Sequence, residues 1–427
     1  MQPKIYDIAG IGIGPFNLGL AALLSELPAL SFVFFDQKEG FEWHPGMMID
    51  HATVQVPFYA DLVTLASPAS RYNFMSFLQH QKRLFRFGTR ENDFITRKEY
   101  NQYCSWVAAR VTGLYFGTHV TAILYNNKAA CYEIITIGKN GLPKNFFSHH
   151  LVIGIGSEPY IPPFLHSGEL PDVFHASAYL FKKPMLLGKK KIVIIGSGQS
   201  AAEIMYDLLP YYKQFSGGLD WFTRSSRIYP LDFSKFSLEM TSPDYIDYFY
   251  GLDPAVKMEV LKEQNSLYKG INASLISNIY NFLYETSLDD PHSTIRIHTN
   301  AELKAITQSP NLGLDLRFSH RQQGSSFNHM ADAVILATGY RQAVPPFLQP
   351  VRERIRWKDG LYDVCRNYSI DKNESEIFVQ NAEMHTHGFS TPDLGMGPYR
   401  NAIIINAILG KEHFILEKNT AFQRFGF

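Results

Sequence analysis

Two glycine-rich segments of the sequence have the residue types and spacing to hold a phosphate group. The first carries Gly10, Gly12 and Gly14 within GIGIGPFN, and the second carries Gly196 and Gly198 within GSGQSAAE. Glycines allow a tight turn and a close approach of phosphate to the backbone, and the N–H groups at a helix start hold the negative charge. The sequence therefore predicts two phosphate-binding turns.

The elements around the first turn form the unit that such a site requires. We expect a buried strand at Ile5–Ile11, a helix at 17–25 and a second strand at 30–36. The glycine spacing is GxGxG and departs from the GxGxxG fingerprint. However, the second strand ends in Asp36, an acid that suits the ribose hydroxyls of a dinucleotide. A turn with a purely structural role is the alternative.

The second turn differs from the first in the residues that come after it. A strand is expected at 189–195, a helix at 200–209 and a strand at 219–223, and the last strand leads into Thr-Arg-Ser-Ser-Arg instead of an acid. Arg224 suits the 2′-phosphate of NADP, Arg227 is a weaker candidate, and a solvated surface arginine is the alternative. Two nucleotide sites of different chemistry indicate FAD at the first turn and NADPH at the second.

The order of the elements predicts an α/β fold with two Rossmann-like dinucleotide-binding domains, one inserted in the other. ILATGY at 335–340 is a buried strand that leads into Thr338 and Gly339, where we expect the chain to close over FAD. Polar, tyrosine-rich segments after the second turn have helical character. The expected parts are an FAD-binding domain at 1–185 and 331–427, an NADPH-binding domain at 186–235 and 287–330, and a helical substrate-binding insertion at 236–286.

Composition and charge exclude several classes of function. The 427 residues include 40 Lys+Arg and 40 Asp+Glu, so no basic excess favours nucleic acid as a partner. We expect neither a signal peptide nor a membrane-spanning helix, since no run of about 18 apolar residues occurs. Three separated cysteines argue for a reduced cytoplasmic setting, without disulfides or a zinc site. His385 and His387 lack further ligands nearby in the sequence, so no metal is expected.

Six segments occur in an order that resembles one enzyme family. They are GIGIGPFNLGLAAL, FEWHPGMMID, VQVPFYADLVTLASP, GSGQSAAE, ATGY and MHTHGFSTPDLG. Together they are similar to the flavin-dependent N-hydroxylating monooxygenases of siderophore biosynthesis, which act on lysine, ornithine or aliphatic diamines. The resemblance implies that NADPH reduces FAD, that O₂ adds at flavin C4a, and that a neutral amine attacks the resulting hydroperoxide while NADP stays bound. It also implies a homo-oligomer, either a dimer or a tetramer.

The resemblance assigns site residues position by position. Trp43 and His44 would lie beside the flavin, with a core tryptophan and a turn histidine as the alternatives. Gln55 would contact the isoalloxazine region and Tyr268 would help to keep NADP in place, which makes these two the catalytic candidates. The other cofactor-binding candidates are Gly10, Gly12, Gly14, Pro15, Phe16, Asp36, Thr338 and Gly339 for FAD, and Gly196, Gly198, Gln199, Ser200 and Arg224 for NADPH.

The departures from the family concern the substrate. The amino-acid hydroxylases of the family carry a lysine at the position of Ala60, asparagines at Leu238 and Leu267, and a serine at Gly395. Those polar groups hold the α-amino and carboxylate groups of an amino acid, and a buried carboxylate without a partner costs several kcal/mol. We therefore expect a diamine, putrescine or cadaverine, as the substrate.

A diamine needs an anion for the ammonium group that is not oxidised. Glu239, Glu383 and Asp393 are the candidates because they lie in or beside the substrate motifs; surface acids or helix caps are the alternatives. The other ammonium must lose its proton, and an apolar pocket lowers its pKa from about 10.4. Lysine or ornithine hydroxylation remains open if Lys269 or Arg71 binds the substrate carboxylate.

Two other classes of protein compete with this function. A flavoprotein of the disulfide-reductase kind needs a CxxxxC pair near the flavin, and Cys104 and Cys131 are too far apart in sequence to supply one. A non-enzymatic NADPH-binding sensor would be distinguished from an enzyme by the absence of NADPH oxidation coupled to hydroxylamine formation.

Overall fold

The N-terminal strand Ile5–Ile11 lies at the centre of the first sheet. The computed structural model describes residues 3–165, 170–309 and 313–426 of the chain. Ile5–Ile11 pairs in parallel with Phe32–Phe35 on one side and with Pro143–Ile153 on the other. The strands follow in the order Leu114–Tyr115, Phe32–Phe35, Ile5–Ile11, Pro143–Ile153, Cys131–Ile137 and His119–Asn126, and Ile377–Val379 pairs with the end of Pro143–Ile153.

The second sheet is parallel throughout and carries the second glycine turn. Its strand Lys191–Ile195 is a continuous apolar run, as expected of a strand that is buried on both faces. The strands follow in the order Val173–His175, Ala333–Leu336, Lys191–Ile195, Gly218–Phe222 and Ile295–His298. A separate antiparallel sheet of Ala301–Ser309, Gly313–His320 and Ser326–Ala331 packs its apolar side chains against the second sheet. The predicted α/β class with paired dinucleotide-binding domains is confirmed.

Two strands lie in a different sheet from the one that the sequence suggested. The expected FAD-binding domain included residues up to 185 and from 331 onward. However, Val173–His175 and Ala333–Leu336 pair with each other, and Ala333–Leu336 pairs with Lys191–Ile195, all within the second sheet. An apolar run reveals that a strand is buried but not which neighbour it pairs with, so the boundaries at 185 and 331 need this correction.

The region after Pro230 is helical, as the sequence suggested. Its helices are Lys235–Leu238, Pro243–Gly251, Pro254–Glu263, Asn265–Lys269 and Ala273–Asp289. The last of these buries Leu275 and Ile279 in the core of the second domain. The C-terminal segment returns to this region, because Asp244 accepts hydrogen bonds from the backbone N–H groups of Thr420 and Ala421.

The remaining elements are helices, 3₁₀ segments and short ribbons. Helices are Pro15–Ser25, Phe74–His80, Leu84–Thr89, Arg97–Ala108, Tyr179–Leu186, Gln199–Leu208, Met384–His387 and Met396–Leu409. Short 3₁₀ segments are Pro45–Met47, Ala176–Ala178, Leu209–Gln214 and Pro346–Arg354. Two-stranded ribbons pair Thr53–Pro57 with Phe94–Thr96, Glu158–Pro159 with Tyr340–Arg341, and Trp357–Lys358 with Leu361–Tyr362. Among the described residues, none of the helices has the length and hydropathy needed to cross a bilayer.

Candidate active site

The first glycine turn leaves bare backbone at the start of a helix. A Cβ at Gly10 would lie 2.0 Å from the ring of Phe34, and one at Gly12 would lie 2.4 Å from the carbonyl oxygen of Gly154. Gly12 also has φ +87°, which favours glycine. At Gly14, in contrast, no described atom lies within 4 Å of an added Cβ. Packing therefore requires the first two glycines, whereas the third keeps open a space in which a phosphate fits.

Asp36 lies beside this turn at the carboxyl end of the neighbouring strand. Its Oδ2 accepts a hydrogen bond from the Ile13 N–H at 2.7 Å, and its Oδ1 accepts one from the Lys38 N–H at 2.9 Å. Each oxygen keeps a further lone pair for a ribose hydroxyl. Pro15 begins the helix Pro15–Ser25, a position where a proline replaces an N–H that has no helical partner.

Phe16 and Asn17 tie the start of this helix to the C-terminal part of the chain. The guanidinium of Arg400, in the helix Met396–Leu409, lies 4.7 Å from the centre of the Phe16 ring. Asn17, which the sequence reasoning missed, donates to carbonyls of the glycine turn and accepts from Gln380 Nε2 at 2.7 Å. The sequence offered one signal for Asn17, which is an amide within an otherwise apolar helix.

Trp43 and His44 form an aromatic cluster near the junction of the two domains. Their ring centres are 5.2 Å apart, and the ring of Tyr340 lies 6.1 Å from that of His44. His44 has left-handed backbone angles, with φ 51°. Although His44 is exposed, the protein packed around its ring, together with the charges of Arg97 and Lys38, lowers the pKa of His44 to about 4. The imidazole is therefore neutral at pH 7.

The second glycine turn is held closely by the neighbouring strand. A Cβ at Gly196 would lie 2.3 Å from the carbonyl oxygen of Ala337, so packing requires a glycine there. Gly198 is the N-cap of the next helix, and Ser200 lies in its first turn. Arg224 is exposed and follows the adjacent strand by two residues. The helix start and Arg224 therefore lie at the same edge of the sheet, where the carboxyl ends of its strands meet.

Thr338 and Gly339 lie where the chain leaves the second sheet. The hydroxyl of Thr338 donates to the carbonyl oxygen of Tyr160. The carbonyl oxygen of Gly339 accepts from the Tyr160 N–H at 2.9 Å and bonds to His175 Nε2 at 3.0 Å. Gly339 has φ +86°, and no described atom lies within 4 Å of an added Cβ there. These contacts place the segment in the crossover that joins the domains.

The two predicted glutamines meet across the domain boundary. Gln55 Nε2 donates to Gln199 Oε1 at 3.2 Å. Arg97 and Glu203, which the sequence reasoning missed, form an ion pair beside this contact at 2.9 Å. Glu203 is an acid on the buried face of a helix, four residues after Gln199, and that position was the available signal. Tyr268 lies farther along the chain and stacks on Phe389 with 6.0 Å between ring centres.

Ala60, Asp393 and Gly395 come together at the predicted substrate end. A Cβ at Gly395 would lie 3.3 Å from the methyl carbon of Ala60 and 3.1 Å from Asp393 Oδ1. Asp393 Oδ1 accepts a hydrogen bond from the Gly395 N–H at 2.8 Å. Asp61 anchors the segment that carries Ala60, because its oxygens accept from the N–H groups of Thr64 at 2.7 Å and Phe74 at 2.6 Å.

The two leucines predicted for the substrate pocket have different surroundings. Leu267 and Tyr268 pack together with Phe389 in one apolar cluster, which joins the helical insertion to the loop that carries Asp393. Leu238 ends the short helix Lys235–Leu238 and is 42% exposed. Leu267 is thus part of an apolar wall, whereas Leu238 lies at the protein surface.

The structure separates the three candidate acids. Glu239 accepts hydrogen bonds from the backbone N–H groups of Phe422 and Gln423, both at 3.0 Å. Glu383 is fully buried and forms an ion pair with Arg400 at 2.9 Å. Arg400 neutralises Glu383, and the C-terminal backbone binds Glu239, so these contacts favour Asp393 as the ammonium ligand.

Asp393 differs from the other two candidate acids in its surroundings. In the part of the chain that the structure describes, no lysine, arginine or histidine forms an ion pair with Asp393. Burial raises the pKa of this carboxyl group and outweighs the backbone N–H groups of Gly395 and Met396 and the more distant charge of Arg400, which favour the charged form. An ammonium group would supply the missing opposite charge.

Polar atoms near the first turn test whether a flavin nucleotide fits. Within the described residues, several buried polar atoms have no hydrogen-bond partner, and they cluster on the loop and helix that face Phe16. They are Ser390 Oγ, Thr391 Oγ1, Arg400 Nη1 and Asn401 Oδ1. With the open space at Gly14, they form a cradle of donors and acceptors that suits a ligand with a pyrophosphate and a polar-edged ring system.

Comparisons with known proteins agree with this geometry. The family model for L-lysine 6-monooxygenase/L-ornithine 5-monooxygenase matches residues 4–342. A putrescine N-hydroxylase of Shewanella oneidensis is 45% identical over 423 residues, which cover 99% of this chain and 84% of that protein. The FAD-bound crystal structure of a cadaverine monooxygenase of desferrioxamine biosynthesis from Erwinia amylovora has a TM-score of 0.96 at 43% identity, with 99% of each chain covered.

A more distant structure was solved with both nucleotides. It is an ornithine N-hydroxylase of Kutzneria sp. 744 with reduced FAD, NADP⁺ and L-ornithine, and it has a TM-score of 0.88 at 25% identity over 95% of this chain and 99% of that one. The resemblance predicted from the six sequence segments is confirmed by these matches.

Proposed function

We propose that this chain, which belongs to the L-lysine 6-monooxygenase/L-ornithine 5-monooxygenase family, N-hydroxylates one primary amine of an aliphatic diamine. The substrate is putrescine or cadaverine, the cosubstrates are NADPH and O₂, and the reaction is an early step of hydroxamate siderophore biosynthesis. The names of the relatives that are 45% and 43% identical support a diamine. The observation that carries the proposal is the Asp393 carboxylate beside the methyl group of Ala60.

The cofactor-binding residues divide between the two glycine turns. FAD, once reduced by NADPH, supplies the activation of O₂ from which one oxygen atom passes to the amine nitrogen. Gly14 and the start of Pro15–Ser25 bind the FAD pyrophosphate, and Asp36 accepts from its ribose. At the second turn, the start of Gln199–Leu208 binds the NADPH pyrophosphate and Arg224 binds its 2′-phosphate.

The substrate end selects an ammonium group and rejects a carboxylate. Asp393 pairs with the distal ammonium of the diamine, while Ala60 offers no charge to an amino acid's carboxylate. Burying a carboxylate without a partner costs several kcal/mol, which is enough to exclude lysine and ornithine. The apolar wall of Leu267, Tyr268 and Phe389 desolvates the other amine, and desolvation favours the neutral form that can react.

The competing substrates are amino acids, and they would need a cation at this end. Arg71 instead contacts Glu26 at 3.8 Å. Lys269 has its ammonium 5.0 Å from the centre of the Tyr268 ring. Neither contact joins a cation to Ala60 or Asp393, and this favours a diamine over lysine or ornithine.

The experiment uses two matched pairs of amines. Putrescine is ornithine without its carboxylate, and cadaverine is lysine without its carboxylate. Mass spectrometry detects the N-hydroxy product. We expect purified FAD-containing protein to hydroxylate at least one diamine about a hundredfold more efficiently than it hydroxylates the matched amino acid. Predominant turnover of lysine or ornithine would contradict the proposal, and binding of NADPH without its oxidation would favour the sensor.

We further propose that the chain acts in the cytoplasm as a dimer or tetramer. The resemblance to the family is the basis for both statements. Light scattering of the purified protein measures the mass of the assembly. A mass of about one 48.7 kDa chain would contradict the proposed dimer or tetramer.

A further inference from the structure

An ion pair joins the two dinucleotide domains at a buried point. Arg97 is the first residue of helix Arg97–Ala108 in the first domain, and Glu203 lies in helix Gln199–Leu208 of the second. Arg97 Nη1 contacts Glu203 Oε2 at 3.0 Å and Arg97 Nη2 contacts Glu203 Oε1 at 2.9 Å. Glu203 is only 1% exposed, so this bidentate pair is shielded from solvent screening.

Hydrogen bonds extend from this pair to three parts of the chain. Arg97 also donates to the carbonyl oxygen of Met47, in the turn that follows His44. Glu203 Oε1 accepts from Gln199 Nε2 at 3.0 Å. Gln199 Oε1 in turn accepts from Gln55 Nε2 at 3.2 Å and from the backbone N–H of Asn272, in the helical insertion, at 3.0 Å.

These contacts determine which way the Gln199 amide points. A carboxylate such as Glu203 only accepts, so it faces the NH₂ group of Gln199. The backbone N–H of Asn272 only donates, so it faces the amide oxygen. Gln199 Nε2 has two N–H bonds, and among the described residues Glu203 is the protein group that accepts from it. Without Glu203, the NH₂ end would lose its acceptor, and only the hydrogen bonds to the amide oxygen would orient Gln199.

We infer that Glu203 is a positioning residue for the transfer of hydride from NADPH to FAD. By binding Arg97 and Gln199 together, it fixes the second glycine helix against the flavin-side glutamine, Gln55. In this transfer NADPH loses a hydride and becomes NADP⁺ while FAD is reduced. The inference rests on the proposed function only in assuming that NADPH reduces FAD across this domain boundary, and it does not depend on the amine substrate.

The alternative is that the ion pair only stabilises the fold. Buried ion pairs often add little to stability compared with apolar residues of the same size, so stability alone does not account for the pair. The chain offers a matched control on the same helix. Asp207 lies four residues after Glu203 and pairs with Lys183 at 2.7 Å, without contacting the glutamines. E203Q and D207N each remove one negative charge from this helix.

The experiment compares these two variants as FAD-containing enzymes. Stopped-flow absorbance follows FAD reduction without oxygen, first by saturating NADPH and then by dithionite, and calorimetry gives the Kd of NADP⁺. For E203Q we expect the saturating NADPH rate to fall at least about tenfold and the NADP⁺ Kd to rise about fivefold, with the dithionite rate unchanged. For D207N we expect all three values to stay within about twofold of wild type, whatever its Tm.

A purely structural role gives a different result. If E203Q lowers Tm but keeps the NADPH rate and the NADP⁺ Kd within about twofold of wild type, the inference is wrong. Should E203Q fail to fold, the double variant R97Q/E203Q removes both charges and carries the same test. It is expected to fold and to be reduced slowly by NADPH, and a wild-type rate would overturn the inference. Failure of diamine hydroxylation with normal reduction of FAD by NADPH would reject the proposed substrate and leave this inference standing.

Discussion

The glycine turns and the substrate end of this protein are built on different principles. At the turns, backbone geometry decides what can bind, since Gly12 has no room for a Cβ and Gly14 leaves a space open. At the substrate end, we propose that two side chains decide the chemistry, namely the methyl group of Ala60 and the carboxylate of Asp393. The first kind of site is shared by many dinucleotide-binding proteins, whereas the second changes with single substitutions.

The largest expected effect tests the backbone side of this comparison. In Gly12→Ala, the φ of +87° and a Cβ 2.4 Å from the Gly154 carbonyl oxygen strain the turn. We expect a loss of about 4 kcal/mol in the free energy of unfolding, measured by urea denaturation. Gly14→Ala is the control: its stability is expected to stay within about 0.5 kcal/mol, but its methyl group fills the phosphate space and lowers FAD content. Equal stability of the two variants would contradict the division of roles.

The next effect tests the side-chain end. Asp393→Asn keeps the shape of the side chain but removes the charge that we propose pairs with the distal ammonium. We expect kcat/KM for the preferred diamine to fall about a hundredfold, since losing one partner of a buried charge pair costs about 3 kcal/mol. Glu239→Gln, at the candidate acid that binds the C-terminal backbone, is expected to change kcat/KM much less. The opposite order of effects would favour Glu239 as the ammonium ligand.

A pH effect on stability is expected in the second domain. Asp220 is fully buried between His298 and His329, both 3.0 Å from its oxygens, and these contacts outweigh desolvation and lower the pKa of Asp220 to about 2. A lowered pKa stabilises the fold above the unfolded value near 4 and loses that contribution as pH falls toward 2.

The comparison of wild type with Asp220→Asn measures this contribution. We expect the wild type to be more stable by about 2 kcal/mol at pH 5 and the difference to shrink between pH 4 and pH 2. Asp172→Asn, which breaks the more exposed pair with Lys189, is the control and should shift stability by less than about 1 kcal/mol. A pH-independent difference for Asp220→Asn would reject the explanation.

The smallest effect distinguishes the two glycine turns from each other. Arg224→Ala should lower kcat/KM for NADPH about tenfold and leave that for NADH nearly unchanged, because only NADPH carries the 2′-phosphate. Arg227→Ala is the control, since its guanidinium lies over the ring of Tyr229 at 4.7 Å. Equal losses with NADPH and NADH would remove Arg224 from the phosphate site.

The sequence predicted what depends on local pattern. The strand Ile5–Ile11, the helix after each glycine turn and the acid at Asp36 all follow from residue types a few positions apart. It could not predict which sheet Ala333–Leu336 joins, because strand pairing is a long-range property. For the same reason it could not separate Glu239 from Asp393, since the partners of Glu239 lie more than 180 residues away.

One measurement tests the central claim, that an uncharged residue 60 selects diamines. Steady-state kinetics would give kcat/KM for cadaverine and for lysine in the wild type and in Ala60→Lys. A lysine side chain there brings a cation next to Asp393, which neutralises the ammonium site and offers a partner to a carboxylate. We predict that the ratio of kcat/KM for cadaverine to kcat/KM for lysine is about a hundredfold or more lower in Ala60→Lys than in the wild type. An unchanged ratio in a folded, FAD-containing variant would contradict the account.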